Sequence, residues 1–591
     1  MRVRLLRLLD HPRLPWAAAL LAVALCLPAL RFGLLADDWL HRALILAWKG
    51  QVHLPLLAGA PPRAPLTGLF VFFDGSTEGL HDLGRFGLLP WWAAEGLKAS
   101  FLRPLAVASH LLDYALWPGS PVAMHLHSLA WLALAVLGAA ALYQRLAGAP
   151  RVAALATLLF AVQDHHAGPA LWIANRNALM AFALTSVTLL LHDRWRREGS
   201  LGAGVLASAT LGVGLACSEA ALGACAFLAA YALCLERGRL ARRLASLAIH
   251  LIPLGAWAAC YMAGGYGTAG AQSYVHPLSL DFPRAVAERI PVLLGALWAK
   301  LPCDVWIAMP RGIQVGLVAA SLAVVVLVGW LLLPVLRASP RARFWTLGMV
   351  LAAVPVCASF PMDRLLLFLG LGAAPLLAEA LAHLGWPATP LRGPCRWGFY
   401  ALIGLHLVLA PLLLPVKVVF FGVTFGVFER AVRMAPADEA VATQRLVWVN
   451  GTTLFTGFVP VIRALDGDPA PRGQWLLAHM LTDMELARPD ARTLVATAPD
   501  GMLRTPPEQL VRDVRVPFTL GEEIERDGLR VTVEALTPDG RPRVVRYESP
   551  VDLDDPSLRW VVWRDGRVES FEVPPVGGSV HVDPCWPPFI P

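Results

Sequence analysis

Charge is scarce in this chain, and so is any recognisable pairing of cysteines. Of 591 residues only 16% are Asp, Glu, Lys or Arg, and 57% are hydrophobic; a soluble domain carries about 25% charged residues. That deficit excludes a chain that is soluble throughout. It is also uneven. From Leu14 to about Val423 the sequence is a series of apolar runs of roughly 17–24 residues, each long enough to cross a bilayer core. From about Arg430 the runs stop and Asp, Glu, Arg and Pro become frequent. The tail of about 160 residues is long enough to build its own core.

The nine cysteines include no CxxC pair, and no HExxH or Cys/His pattern points to zinc. Cys217, Cys225, Cys234 and Cys260 lie in or beside apolar runs and read as small core residues. Cys303 and Cys585 both fall outside the expected cytoplasmic side, but no spacing supports a disulfide between them. The formal net charge of +7 does not point to nucleic acid, because the basic residues sit in short loops between apolar runs, as membrane orientation requires. The basic start (Arg2, Arg4, Arg7, Arg13) before the first run fits a retained first helix, since no clear small-residue cleavage site follows it.

The runs predict about eleven transmembrane helices, at 14–34, 123–144, 152–166, 175–192, 200–217, 219–235, 244–264, 313–336, 344–361, 364–384 and 397–416. The fifth and sixth meet at Cys217-Ser218-Glu219 with almost no loop. One set of loops carries Arg145, Arg151, Arg194, Arg196, Arg197, Arg237, Arg239, Arg242, Arg243, Arg337, Arg341, Arg343, Arg392 and Arg396. The short loops of the other set hold little beyond Arg176 and Arg364. The Arg-rich set is therefore expected in the cytoplasm, with the N-terminus inside and the tail outside. The expected domains are a membrane domain over 1–425, with long outer loops at 35–122 and 265–312, and a β-rich domain over 437–591. In the first loop Pro90-Trp91-Trp92 and Leu111–Tyr114 could lie at the interface. The second holds a helical stretch near Arg284–Leu301. In the tail, the runs 445–449, 529–534, 543–546 and 558–563 read as strands. Asp539-Gly540 and Asp565-Gly566 suggest hairpin turns, and a helix is expected near 474–486.

Asp37-Asp38, just beyond the first helix, is the sharpest chemical feature. Two adjacent carboxylates at a membrane boundary are costly unless solvated, paired or useful; one could take a proton from a hydroxyl nucleophile. The bland alternative is two solvated aspartates at a helix end. Arg103, Arg176, Arg364 and Glu219, with His125, His127, His165 and His166, fall on the same predicted outer face. Arginine suits phosphate through its planar fork of donors, although a single Arg near a membrane more often snorkels to headgroups. Four imidazoles on one face could hold zinc, but no ligand spacing supports it.

The order of motifs resembles the multi-spanning GT-C glycosyltransferases. Asp37-Asp38-Trp39 is followed by Arg103-Pro104-Leu105, by Leu112–Trp117 (Leu-Asp-Tyr-x-Leu-Trp) and by Pro121–His125 (Pro-x-x-x-His). The nearest likeness is to bacterial relatives of protein O-mannosyltransferases and of the transmembrane-TPR mannosyltransferases. Trp172–Arg176 is similar to their Trp-Ile-x-Gly-Arg stretch, with Asn175 in place of Gly. Ser218-Glu219 matches the ends of their Ser-Lys-Glu motif without its Lys. The resemblance covers about 30–235 by motif and 1–420 by architecture, and leaves the tail aside.

It implies a mainly α, polytopic GT-C-like enzyme in a bacterial inner membrane, with a β-rich extracytoplasmic domain. Such an enzyme moves a sugar from a polyprenyl-phosphate donor to a protein, lipid or glycan acceptor with inversion. Asp37 is then the general base, and Asp38 orients it or holds a divalent cation. Arg176, Arg103 and Arg364 bind the donor phosphate, and Glu219, His165, His166 and His125 support the site. No cofactor and no metal ligand set is assigned. The competing functions are a lipid-linked-sugar flippase or transporter, whose polar groups should sit near the midplane, and a non-enzymatic anchor displaying the tail.

Overall fold

The computed structural model describes residues 2–52, 65–85, 87–386, 389, 391, 393, 395–452 and 456–585; Arg392 lies outside them. The chain divides into two units. The first comprises Met1–Leu35, Leu102–Gly264 and Val275–Gly422, and the second Ala36–Phe101, Gly265–Tyr274 and Val423–Pro591.

The first unit is a helix bundle, with a helix at each of the expected positions. In order they are Leu14–Cys26 with its 3-10 turn Leu27–Arg31, Pro121–Leu146, Pro150–Ala161, Arg176–Glu198, Leu201–Cys217 and Leu222–Cys234. Ala248–Ala263, Arg311–Ala338, Pro340–Val356, Leu367–His383 and Arg396–Gly404 follow; the last continues through a π turn, Leu405–Leu409, into Ala410–Met434. Among the described residues, six helical stretches are long and apolar enough to cross a membrane: Leu14–Arg31, Pro121–Leu146, Ile173–Glu198, Arg311–Ala338, Asp363–His383 and Arg396–Gly426. The chain is thus an integral membrane protein, mostly helical, with a sheet-rich C-terminal region.

Local chemistry sets the helix starts. Pro121, Pro150 and Pro340 occupy first helical positions, where the missing N–H costs nothing. Ser120, Ser200 and Ser339 accept from the N–H groups of Ala123, Ala203 and Ala342. At the tight junction an extended Ser218 separates two helices and caps Ala220 N–H. The expected helical stretch of the second long loop is Phe282–Ala299, whose last turns are buried.

Successive helices alternate in direction, so the bundle has two ends. One is tied by ion pairs of the Arg-rich loops: Arg145–Asp193 at 2.6 Å, Arg196–Glu236 at 2.8 Å and Arg151–Asp10 at 2.7 Å. The other gathers the segments around residues 103, 164, 219, 304 and 363, and is called the Asp164 end below.

The second unit holds the tail together with residues 36–101 and 265–274. A three-stranded antiparallel sheet joins Val71–Asp74, Lys98–Ser100 and Gly267–Ala269. A six-stranded antiparallel sheet runs in the order Ser579–Val582, Met484–Ala487, Thr493–Thr497, Pro542–Glu548, Leu529–Leu536, Glu523–Arg526. A four-stranded sheet runs Arg567–Ser570, Leu558–Arg564, Arg445–Gly451, Gly473–His479, and its last three strands are parallel.

Two expectations are corrected here. No helix spans 474–486. Gly473–His479 and Met484–Ala487 are strands, and all seven residues of the first are buried, so it shows no alternation to distinguish it from a buried helix. The helix is Phe458–Asp466 instead. Trp91 and Trp92 do not form an interfacial belt: both are buried in the core of the second unit, and Trp91 Nε1 donates to the Leu477 carbonyl at 2.8 Å.

Candidate functional site

Asp37 and Asp38 open the helix Asp37–Trp48 of the second unit. Acidic side chains suit a first helical turn, where the free N–H groups leave partial positive charge. Ala36, just before them, adopts φ 46° and ψ −116°. A side chain with a Cβ pays of order 1–3 kcal/mol for such a backbone, and strain of this kind tends to collect at functional sites. Asp38 is buried and Asp37 half-buried. The helix is held by Ala43 against Val461, by Trp39 beneath the Arg433 guanidinium, and by His41 between the Phe70 and Phe72 rings.

The other expected residues belong to the bundle. Arg103 precedes the helix Pro104–Leu116 and pairs with Glu219 at 2.8 Å, so these two come together. Arg176 is fully buried. Its Nη1 donates to Asp113 Oδ2 at 2.6 Å and to Ser109 at 3.0 Å, its Nε to Ser128 at 3.0 Å, and its Nη2 to the Met124 carbonyl at 2.8 Å. Asp113 also binds His127 Nδ1 at 2.7 Å. Trp131 Nε1 donates to His127 Nε2 at 3.1 Å, and Arg176 Nη1 lies 3.0 Å from His127 Nδ1. Arg176 therefore joins the helices Pro104–Leu116, Pro121–Leu146 and Arg176–Glu198.

Arg364 is placed differently. Its Cζ lies 5.2 Å from the Trp172 ring centre, over the ring. Among the described residues no carboxylate pairs with it. Gly168 makes room for its stem, since a Cβ there would sit 3.2 Å from Arg364 Cβ.

The four imidazoles do not converge on a common point. His125 contacts the Gly33 carbonyl, His127 binds Asp113 and His166 contacts the Phe160 carbonyl; only His165 and His166 are neighbours, with ring centres 4.6 Å apart. No disulfide joins Cys303 to Cys585.

Sequence reasoning missed the most charged group at this end. Lys417, in the last helix, contacts Asp164 at 2.7 Å, Asp363, and Asp304 at 3.8 Å. Lys300 binds the same Asp164 at 2.8 Å and Gln163 at 2.7 Å. A signal was available: the chain has only four lysines (49, 98, 300 and 417), and Lys417 interrupts an apolar run, where a charge is retained only with partners. Asp113 lies in the Leu112–Trp117 motif, which by itself gives it no chemical role.

No protein-family model matches the sequence, and no curated protein matches it. Among solved structures, an Archaeoglobus fulgidus oligosaccharyltransferase tethered to an acceptor peptide is similar at a TM-score of 0.39 and 12% identity, over 78% of this chain and 64% of that one. ArnT from Cupriavidus metallidurans, bound to undecaprenyl phosphate, is similar at a TM-score of 0.32 and 14% identity, over 62% of this chain and 68% of that one. Both likenesses are remote, and the chain spans less than two thirds of the oligosaccharyltransferase.

Proposed function

We propose that this protein is a membrane glycosyltransferase that moves a sugar from a polyprenyl-phosphate donor to an acceptor at the extracytoplasmic face. The observation that carries the reading is Arg364. A guanidinium held on an aromatic face at one end of a membrane bundle, without a carboxylate partner among the described residues, suits a phosphate monoanion or diester. Arg103, fixed by Glu219, supplies a second cation at that end. Every nitrogen of Arg176 already donates inside the bundle, so we assign it to positioning the helices rather than to the phosphate. The motif order from Asp37 to Glu219 supports the same family of reaction.

In the proposed reaction Asp37 takes the proton of the acceptor hydroxyl as its oxygen attacks the anomeric carbon. The bond to the lipid phosphate breaks on the opposite face, which inverts the configuration. One carboxylate suffices for that, without the second needed in glycoside hydrolysis. Arg364 and Arg103 stabilise the charge that grows on the leaving phosphate. The Arg-rich end of the bundle is cytoplasmic by charge bias, which fits a bacterial inner membrane, and the second unit serves the acceptor.

The test incubates the purified protein in lipid nanodiscs with a radiolabelled polyprenyl-phosphate hexose and candidate acceptors. Release of polyprenyl phosphate is expected, and it should fall about 10²–10⁴-fold in Asp37→Asn, the range for loss of a general base. Arg364→Ala should weaken donor use, with partial recovery in Arg364→Lys. Movement of intact lipid across vesicles without release would make the protein a flippase. Neither release nor movement would make it an anchor.

A further inference from the structure

The charges around Lys417 do not balance. Three carboxyls, Asp164, Asp304 and Asp363, meet two ammonium groups, Lys300 and Lys417. Asp164 is a fully paired carboxylate, with Lys300 on Oδ1 and Lys417 on Oδ2. Asp363 accepts on both oxygens as well: Lys417 sits on Oδ2, and the Cys303 thiol donates to Oδ1 at 3.0 Å. Asp304 is the remainder. Its Oδ1 accepts the Asp363 N–H at 2.8 Å, while its Oδ2 lies 3.8 Å from Lys417, beyond hydrogen-bond reach.

The other charged groups nearby are engaged elsewhere. Arg364 lies over Trp172, Arg311 is held by Glu288, and Arg289 donates to the Cys357 carbonyl. His165, His166 and His406 are the remaining titratable side chains packed around the cluster, and each is buried. Cys303, Asp304 and Asp363 bring a thiol and two carboxyls within 4.8 Å of one another, but Lys417 supplies the cation there, so no metal is invoked. A half-buried third carboxylate whose nearest cation, Lys417 at 3.8 Å, is already bound by two other carboxylates is penalised, and a neutral acid beside a charged one is the usual resolution.

We propose that Asp304 holds a proton beside the Asp363 carboxylate and releases it to the medium as the pH rises. Burial first, and the Asp363 carboxylate second, push the Asp304 carboxyl up to about 8. Burial likewise pushes the Cys303 thiol up, which keeps it a donor to Asp363. Release of the proton leaves an unmatched charge in a knot that joins residues 163–164, 300, 303–304, 363 and 417. The proposal is independent of the transfer reaction.

The sign of its effect on stability follows from linkage. An unfolded Asp304 ionises near pH 3.9, whereas the folded one keeps its proton until about pH 8. The contribution of this group to stability is therefore full below about pH 4, is lost progressively as pH rises towards about 8, and is flat above that.

The experiment records infrared difference spectra of the full-length protein in nanodiscs between about pH 6 and about pH 10. A protonated-carboxyl band that disappears with a midpoint near 8 is expected in the unaltered protein. It should be missing in Asp304→Asn, and in Asp363→Asn its midpoint should fall by at least about one pH unit, since a neighbouring like charge has been removed. Thermal unfolding should depend less on pH in Asp304→Asn between about pH 4 and about pH 8. Absence of the band from the unaltered protein overturns the proposal, whatever the variants do. Persistence of the band in Asp304→Asn, or an unmoved midpoint in Asp363→Asn, overturns it equally.

Discussion

Arg176 donates from all three of its nitrogens to partners inside the bundle, and this separates its role from that of Arg364. Removing one member of a buried ion pair strands the other and costs about 3–5 kcal/mol. Asp113→Ala and Arg176→Gln should therefore both lower the thermal unfolding temperature of the purified protein by a similar margin, and their effects should be far from additive. Trp172→Ala, beneath Arg364, should leave the unfolding temperature nearly unchanged. A normal unfolding temperature in Arg176→Gln together with weakened donor binding would return Arg176 to the phosphate. Sequence could flag Arg176 as buried charge but could not name its partner: Asp113 lies 63 residues away, and nothing in the spacing marks the two as neighbours. The Lys417 cluster was hidden for the same reason, since its three acids come from three separate segments of chain.

At the scale of elements, periodicity served the membrane helices and the amphipathic strands, and failed where burial was complete. Leu529–Leu536 alternates buried and exposed positions for most of its length and is legible. Gly473–His479 is buried throughout and was read as helix. A third Asp-Gly hairpin, Asp527-Gly528, joins Glu523–Arg526 to Leu529–Leu536, with both turn residues at positive φ. Sequence does not mark it, because Glu523–Arg526 is a charged edge strand with a single apolar residue, Ile524. The expected domain over 437–591 also omitted residues 36–101, whose long loop shows no repeat that ties it to the tail. The packing shows the tie. Leu89, Trp91, Trp92 and Leu97 share one core with strands of the tail, and a Cβ on Gly457 would lie 2.9 Å from the Leu88 backbone. Deleting residues 437–591 should thus unfold 65–101 as well, seen as rapid tryptic cleavage after Lys98 in a chain whose bundle still inserts. A protected 36–101 fragment in the deleted protein would show instead that this segment folds without the tail.

For the whole molecule, the placement of arginine argues for an orientation. Arginines accumulate at alternate connections, and the structure turns several of them into ion pairs that close that end of the bundle, such as Arg145–Asp193 and Arg196–Glu236. Others stay exposed, including Arg237 and Arg239 between Leu222–Cys234 and Leu240–Ala245. In the second unit Arg564 and Arg567 flank the exposed hairpin turn Asp565-Gly566. In the orientation we propose from charge bias, the first pair lies in the cytoplasm and, after an odd number of crossings, the second pair lies outside. Trypsin added to intact spheroplasts should then cut at Arg564 or Arg567 and spare Arg237 and Arg239 until the membrane is permeabilised. The reverse pattern would put the Asp164 end in the cytoplasm. It would also remove the grounds for a donor presented on the extracytoplasmic side, because the lipid-linked sugar and the arginines assigned to it must meet at the same face.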